Sequence, residues 1–298
     1  MHKTRAEAVA YLAELREWSG TSGLDVDVAI FPPFTALATA AAQLSSTAQL
    51  SSTAQLSSTA QLTSAGQLTS ARRAPTEEPP SPALHLGAQN MHWQANGAQT
   101  GEISATMLLD CGVSIVELGH YERRQHYGET DHSVNLKASA AVTAGLETVI
   151  CVGDSEQDRQ YAVAPEAVAR QVKIAVGGLP PHALASVVLA YEPAWAIGTG
   201  GQQAEPAEVE AIHQVIRTAL SQSHGPQAAE QVRVVYGGSV DAASAGGYAT
   251  QTTVDGLFVG RSGLTATGLI GVIEQFCAAA PEASAELAFL EGNAHDSC

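Results

Sequence analysis

Four short polar segments of this sequence carry side chains that could do chemistry, and each follows an apolar run. They read GHYERR (119–124), YEPAWAIGTG (191–200), YGGSV (236–240) and GRS (260–262). His120 and Glu192 suit proton transfer, because an imidazole titrates near neutral pH and a carboxylate in a partly dry pocket gains basicity. Either residue alone could equally be a polar side chain at a strand end. The occurrence of both directly after apolar runs favours an acid–base site.

Glycines in the last two segments favour the binding of an anion. Residues 237–239 (GGS) and 260–261 (GR) offer unhindered backbone N–H groups and one hydroxyl, a combination that holds phosphate. A glycine-rich turn alone is weak support, since such turns also occur without a ligand. Two of them after the last two apolar runs predict a phosphate site beside the acid–base pair.

Apolar runs alternate with amphipathic stretches along most of the chain. The runs predict seven strands, at residues 26–31, 83–88, 113–118, 148–152, 187–190, 232–235 and 256–259. Helical patterns fall between them, at residues 5–18, 132–144, 165–176, 206–221 and 267–276. Strand and helix in repeated alternation predict an α/β fold with parallel strands covered on both faces. In a barrel of this kind the four polar segments would converge on one pocket.

Length and charge narrow the class of protein further. The chain has 298 residues, 45% of them hydrophobic, with 30 Asp and Glu against 14 Lys and Arg and a net charge of −16. We interpret residues 1–298 as a single domain. The excess of acid argues against nucleic-acid and anionic-membrane partners. No run approaches the roughly 20 apolar residues of a membrane span, and the first residues are too polar for a secretory signal, so the sequence predicts a cytoplasmic protein.

The cysteines and histidines do not form a metal-binding pattern. The four cysteines are scattered, without CxxC spacing, which predicts free thiols of a reducing compartment: Cys111, Cys151, Cys277 and Cys298. His85 and His92 lack a carboxylate or cysteine partner at ligand spacing. We therefore expect neither a metal site nor a disulfide framework.

One segment differs from the rest of the chain. From residue 42 to residue 71 the hexapeptide AQLSST repeats with small variations, and a stretch rich in Arg, Pro and Glu follows. Leucine at every sixth position fits neither the helical nor the strand period, so we predict a low-complexity, disordered insertion at about residues 42–81. A β-solenoid of hexapeptide repeats would need bulky residues on more than one face of each turn, which this repeat lacks.

Taken together and in this order, the polar segments closely resemble the triosephosphate isomerase family. Further matching segments are GAQN (87–90), TGEIS (100–104), CVG (151–153) and GLFVGR (256–261). The resemblance runs from about residue 1 to residue 277, interrupted by the repeats. It implies a (β/α)8 TIM barrel and a glycolytic and gluconeogenic isomerase that interconverts dihydroxyacetone phosphate and glyceraldehyde 3-phosphate without a cofactor.

The resemblance also implies the catalytic roles of individual residues. Glu192 would abstract the proton α to the carbonyl and deliver it to the neighbouring carbon. Neutral His120 would polarise the carbonyl and stabilise the enediolate, and Glu122 would support this cluster by hydrogen bonding. We interpret Arg123 and Arg124 as salt-bridge partners at the strand end.

The same resemblance implies a lid, a phosphate site and a dimer. Residues 193–200 would close over the substrate and exclude water. The phosphate would be bound by Gly198, Ser239, Gly260 and Arg261. Thr100 would lie in the loop that inserts into the neighbouring subunit of a homodimer.

Three segments depart from the family pattern. The family opens with a strand that carries Asn-x-Lys before a Met, and residues 1–4 (MHKT) resemble the stretch from that Met onward. The first strand and its lysine are thus expected to precede residue 1. Lys3 lies too far along to replace that lysine, and the chain alone is expected to be nearly inactive and poorly folded. Tyr121 stands where a small serine is usual and is expected to restrict Glu192, and residues 201–204 (GQQA) replace the usual lid hinge.

Two alternative functions remain open at this point. Residues 90–93 (NMHW) and 116–118 (VEL) also resemble a branch of the family that isomerises erythrulose 1-phosphate, and the catalytic residues do not distinguish a triose from a tetrose phosphate. The second alternative is a catalytically impaired barrel retained as a binding protein. It is motivated by the lysine that the chain lacks and by Tyr121.

Overall fold

The computed structural model describes residues 2–45, 81–197 and 201–280, which form a curled parallel sheet covered by helices. The strands pair in sequence order, each parallel to the next. They are β1 (Asp27–Ile30), β2 (Ala83–Ala88), β3 (Ile115–Leu118), β4 (Glu147–Val152), β5 (Val187–Tyr191), β6 (Arg233–Tyr236) and β7 (Gly256–Leu257). The seven strands and the α/β class predicted from the apolar runs are therefore confirmed.

Helices follow the strands on the outside of the sheet. They are α1 (Arg5–Ser19), α2 (Leu37–Ser45), α3 (Ala105–Asp110), α4 (Tyr121–His126), α5 (Asp131–Ala144), α6 (Glu156–Gln160), α7 (Ala164–Ala175), α8 (Pro206–His224), α9 (Pro226–Glu230), α10 (Ala242–Ala249) and α11 (Ala266–Ala279). α8 begins at Pro206, and α5 is followed by Gly145 with φ 87°, a left-handed conformation that favours glycine. α10 was not predicted, because two glycines weaken its helical pattern; packing against α11 and a cap from Asp241 support it.

The two faces of the sheet form separate apolar clusters. Ile115, Val149 and Val188 point inward and fill the barrel together with other small or branched side chains. Their neighbours along the strands, such as Val116 and Ile150, point outward and pack against the helices. This alternation follows from the two-residue period of a strand. Both faces are covered, which explains why the strands read as continuous apolar runs.

The sheet has two unpaired edges within the described residues, at β1 and β7. The rings of Phe31 and Phe258, which follow these two strands, meet edge to face with centroids 6.0 Å apart. At the opposite end of the strands, Asp27 of β1 accepts a hydrogen bond of 2.8 Å from Arg233 of β6. Seven strands agree with the expectation of a barrel whose first strand is missing from this chain.

The predicted insertion lies mostly outside the described residues. α2 extends to Ser45 and so includes the first four residues of the repeat, and the structure resumes at Ser81 ahead of β2. The boundary near residue 42 and the single-domain interpretation stay predictions. Among the residues described, no helix combines the length and the apolar character needed to cross a membrane.

Candidate active site

Two of the predicted catalytic residues meet at the carboxyl ends of the strands. His120 follows β3 and Glu192 follows β5, and parallel strands bring these ends to one face. Nε2 of His120 lies 3.2 Å from Oε1 of Glu192, whose side chain is 3% exposed. The two groups can therefore exchange or share a proton at a carboxylate that is shielded from solvent.

Close packing of the backbone fixes the position of Glu192. A Cβ atom at Gly153 would lie 1.9 Å from the carbonyl oxygen of Glu192, and one at Gly237 would lie 2.9 Å from its Cγ. Neither distance is possible for a real side chain, so both positions require glycine. The N–H of Tyr121 donates to Oε2 of Glu192 at 2.9 Å. The carboxylate is thus held between three strand ends.

Burial sets the basicity of Glu192. It raises the pKa of this carboxyl group, because the charged form loses its hydration. His120, the N–H of Tyr121, the thiol of Cys151 and Arg124 lower the pKa by smaller amounts. The net direction is upward, so Glu192 is a stronger base than a glutamate in water and suits proton abstraction from carbon.

The N-terminus of α4 determines which nitrogen of His120 carries the proton. Nδ1 of His120 accepts a hydrogen bond of 3.2 Å from the N–H of Glu122. A nitrogen that accepts cannot carry a proton, so in the neutral ring the proton is assigned from this bond to Nε2, which faces Glu192. Burial lowers the pKa of His120, but the charges of Glu192 and other carboxylates outweigh it and the net shift is upward.

Glu122 contributes through its backbone. Its side chain is exposed in the first turn of α4 and makes no hydrogen bond within the described parts of the chain. The N–H that orients His120 was not anticipated from the sequence, although a helix beginning directly after a histidine is a signal for it. A supporting role for the Glu122 carboxylate stays a prediction.

Arg123 and Arg124 form the salt bridges that were predicted for them. Nε of Arg123 lies 3.0 Å from Glu129, and Nη1 of Arg124 lies 2.6 Å from Asp131. Arg124 also donates to the carbonyl oxygens of Gly119 and Cys151, at 2.7 and 3.1 Å. These bonds join the ends of β3 and β4 beneath the catalytic pair.

Ser239 and Arg261, two of the predicted phosphate ligands, lie together. Nη2 of Arg261 donates to Oγ of Ser239 at 3.1 Å. The N–H and the hydroxyl of Ser239 both donate to the carbonyl of Ala196, at 3.0 and 2.9 Å. Gly260 directly precedes Arg261, whereas Gly198 lies outside the described residues. The sequence predicted a backbone N–H of Arg261 as the phosphate donor, and the structure shows that its guanidinium also lies at this position.

A carboxylate that the sequence analysis missed holds the first part of the predicted lid. Asp154, directly after β4, accepts hydrogen bonds from the Tyr191 hydroxyl at 2.7 Å and from Nε1 of Trp195 at 2.9 Å. The guanidinium of Arg159 lies 3.8 Å from the centre of the Trp195 ring. The only sequence signal was an acid immediately following a buried strand. Residues 198–200 of the lid lie outside the described residues.

Thr100 belongs to an exposed loop away from the strand ends. The loop leaves at His92 and returns at Ile103, whose carbonyl accepts from the His92 N–H at 2.8 Å. Thr100 is exposed between these ends. The structure does not bring it together with the other site residues of its own chain.

The described parts of the chain contain possible metal-binding side chains and three of the four cysteines. Across those parts, no group of three or more His, Cys, Asp or Glu side chains is arranged to hold a metal ion. Cys111, Cys151 and Cys277 are free thiols, and Cys298 lies outside the described residues.

Comparison with known proteins assigns this arrangement to a family. The family model described as triosephosphate isomerase matches residues 57–276. A triosephosphate isomerase of Symbiobacterium thermophilum is 38% identical over 286 residues, which are 96% of this chain and 95% of the relative. The chain belongs to the triosephosphate isomerase family.

Two further comparisons describe its place within the triosephosphate isomerase family. The crystal structure of triosephosphate isomerase from Bartonella henselae matches with a TM-score of 0.71 at 26% identity, covering 93% of this chain and 95% of that chain. An L-erythrulose-1-phosphate isomerase of Rhizobium etli is 42% identical over 203 residues, 68% of this chain and 74% of the relative. The resemblance and the barrel fold inferred from the sequence are therefore confirmed.

Proposed function

We propose that this protein is a triose-phosphate isomerase, which interconverts dihydroxyacetone phosphate and glyceraldehyde 3-phosphate. The observation that carries the proposal is the contact of 3.2 Å between Nε2 of His120 and Oε1 of the buried Glu192. The pair unites a base of raised pKa with a hydrogen-bond donor at the carboxyl ends of the strands. Relatives named triosephosphate isomerase support the choice of substrate.

The proposed reaction is a proton transfer between two neighbouring carbons. The Glu192 carboxylate removes a proton from the carbon next to the carbonyl, while Nε2–H of His120 donates a hydrogen bond to the carbonyl oxygen. The negative charge that develops on that oxygen is stabilised by this donor. Protonated Glu192 then returns the proton to the other carbon, and the hydroxyl proton moves between the two oxygens beside His120. No electrons leave or enter, so the step needs no redox cofactor.

The proposed phosphate site lies beside this pair. The Arg261 guanidinium and the Ser239 hydroxyl would bind the phosphate together with the backbone at Gly260 and Gly198. The two donors of Ser239 now bond to the carbonyl of Ala196, so phosphate would compete with the lid for them. Substrate binding and lid position are thereby linked, which would help to exclude water from the enediolate.

The proposed partner is a second copy of the chain. The exposed loop around Thr100 would contact the neighbouring subunit of a homodimer, and the protein would work in the cytoplasm, consistent with its free thiols. Sedimentation of the purified protein tests the dimer. A single species at twice the chain mass is expected, and a monomer at micromolar concentration would contradict it.

A second candidate substrate is erythrulose 1-phosphate. The 42% identity to the Rhizobium etli relative favours it, and both sugars present a phosphate and an α-hydroxy carbonyl. A third candidate is an impaired barrel, favoured by the unpaired edges of the sheet. The impaired barrel is also favoured because two lysines make hydrogen bonds away from His120 and Glu192. Lys3 donates to the Leu264 carbonyl at 2.7 Å, and Lys137 donates to Asn90 at 2.8 Å.

Steady-state kinetics on both sugar phosphates separates these candidates. We expect the higher kcat/KM with dihydroxyacetone phosphate. A preference for erythrulose 1-phosphate would select the tetrose isomerase. Absence of turnover on either substrate, in a protein that unfolds cooperatively, would select the impaired barrel.

A further inference from the structure

Glu117 lies on the inner face of the sheet, among apolar side chains. Side chains alternate between the two faces of a strand, so Glu117 shares the inner face with Ile115, two residues earlier in β3. Ile115 packs with Val149 and Cys151 of β4, and Glu117 is paired with Val149. The carboxyl group therefore points into the barrel, three residues before His120, which follows the same strand.

This carboxyl group is largely buried and has no hydrogen-bond partner among the described residues. Glu117 is 7% exposed, and no hydrogen bond reaches its side chain from residues 2–45, 81–197 or 201–280. Burial raises the pKa of Glu117 to about 8, although His120 opposes the rise. The group is thus mainly protonated at neutral pH, unlike an ordinary glutamate.

The surroundings of Glu117 connect it to both members of the catalytic pair. A negative charge on Glu117 raises the pKa of His120 and that of the Cys151 thiol, and the charge of Glu192 raises the pKa of the same thiol. The titratable groups that face Glu117 come from the end of β3, from α4 and the segment after it, and from β4 and β5: His120, Glu122, Glu129, Cys151 and Glu192. Of the three carboxylic acids among them, Glu129 is already paired with Arg123 and Lys137. Glu122 and Glu192 form no ion pair with a lysine or arginine within the described residues, so a further negative charge on Glu117 would be poorly compensated.

We propose that Glu117 is a positioning residue of the isomerase site, whose buried carboxyl group must stay uncharged for the His120–Glu192 pair to bind and convert an anionic substrate. The inference rests on the proposed function. When Glu117 ionises, it adds a negative charge inside the barrel, close to where a phosphorylated substrate binds and an enediolate forms. Like charges repel in a poorly hydrated site, so ionisation weakens binding and raises the barrier. Glu117 acts through the catalytic pair and does not itself contact the substrate.

The pH dependence of kcat/KM between pH 6 and pH 9.5 tests the proposal. The variants are Glu117→Gln, which is neutral at every pH, and Glu230→Gln, which removes the same charge at the exposed end of α9. We expect kcat/KM of the parent and of E230Q to fall at least about threefold as the pH passes 8. E117Q should lack this fall near pH 8. Superimposable profiles of E117Q and the parent would overturn the inference.

A second measurement does not depend on turnover. In protein labelled with carbon-13 at the glutamate carboxyl groups, the resonance missing from Glu117→Gln or Glu117→Asp belongs to Glu117. Titration of this resonance near pH 8 supports the inference, and titration below pH 6 overturns it even if E117Q fails to fold. Absence of turnover in every variant would remove the proposed function, and this inference with it. Turnover with unchanged profiles would remove the inference alone.

Discussion

At the scale of single residues, the two members of the proposed catalytic pair have different surroundings. Glu192 gains basicity because it is buried between Gly153 and Gly237, where no side chain larger than hydrogen fits. His120 keeps its proton on Nε2 because the N–H of Glu122 occupies Nδ1. The residue types could be predicted from the sequence. The backbone bonds that orient them could not, because they depend on how three strand ends meet.

Arg261 is expected to act on substrate binding. Its guanidinium lies 3.1 Å from the Ser239 hydroxyl in a chain of net charge −16, so it supplies a local positive charge for phosphate. Arg261→Gln should raise KM about tenfold, which corresponds to about 1.4 kcal/mol, with a smaller change in kcat. Initial-rate kinetics at two salt concentrations measures both constants.

Lys173→Gln is the control for this variant. Lys173 is an exposed residue of α7, so its replacement removes a positive charge away from the site. KM should stay within about twofold of the parent. Equal KM values in the two variants would show that the Arg261 side chain does not bind phosphate.

At the scale of elements, the strand and helix pattern could be predicted wherever burial alternates regularly. β3 to β6 read as apolar runs because both of their faces are covered. α10 was missed, since its two glycines depress helical propensity; contact with α11 and the cap from Asp241 support it in the structure. The hydrogen bond between Asp154 and Trp195, in the proposed lid, was also missed, because it joins residues that are about forty positions apart.

Asp154 is expected to stabilise the start of the lid. Asp154→Ala removes the acceptors of the Tyr191 hydroxyl and of Trp195 Nε1, and leaves the Tyr191 hydroxyl buried without a partner. The free energy of unfolding should fall by about 1–3 kcal/mol, and kcat should fall as the lid loses its anchor. Urea titration and steady-state kinetics measure the two effects.

Asp110→Ala serves as the control for the Asp154 variant. Asp110 ends α3 and is exposed, so the free energy of unfolding should change by less than about 0.5 kcal/mol. If Asp154→Ala unfolds at the same urea concentration as this control, the hydrogen bonds of Asp154 contribute nothing to stability.

At the scale of the whole molecule, two features matter: the edges of the sheet and the net negative charge of the chain. β1 and β7 are unpaired edges within the described residues. Side chains of β1 and of Phe31, which follows it, contact Arg233 of β6 and Phe258 after β7. Asp27 bonds to Arg233 at 2.8 Å and lies 3.2 Å from Nε2 of His85. The acidic composition argues against polyanionic partners, but it could not predict that the Arg261 guanidinium lies against the Ser239 hydroxyl.

His85 is expected to make stability depend on pH. The hydrogen bond to Asp27 raises the pKa of His85 in the folded protein, so its contribution is complete below the unfolded pKa and is lost as pH rises through the folded one. His85→Gln should lower the free energy of unfolding at pH 5.5 by less than about 1 kcal/mol, because the side chains of His85 and Asp27 are both about half exposed. At pH 8.5 the free energy of unfolding should hardly change.

The exposed His132 on α5 provides the control for His85. His132→Gln should change the free energy of unfolding equally at the two pH values. A loss in His85→Gln that is as large at pH 8.5 as at pH 5.5 would contradict the electrostatic origin of this contribution.

The central claim is that Glu192 moves a substrate proton between two carbons, and hydrogen exchange tests it most directly. Dihydroxyacetone phosphate is incubated with the protein in deuterium oxide, and proton NMR follows the entry of deuterium at carbon, a reading that detects even slow turnover. We predict that exchange is at least about tenfold faster than without the protein. In Glu192→Gln the rate should fall by about a hundredfold or more, or to the enzyme-free rate if the parent exceeds that rate by less than this factor. Exchange that is no faster than in buffer, or that persists undiminished in E192Q, would contradict the claim.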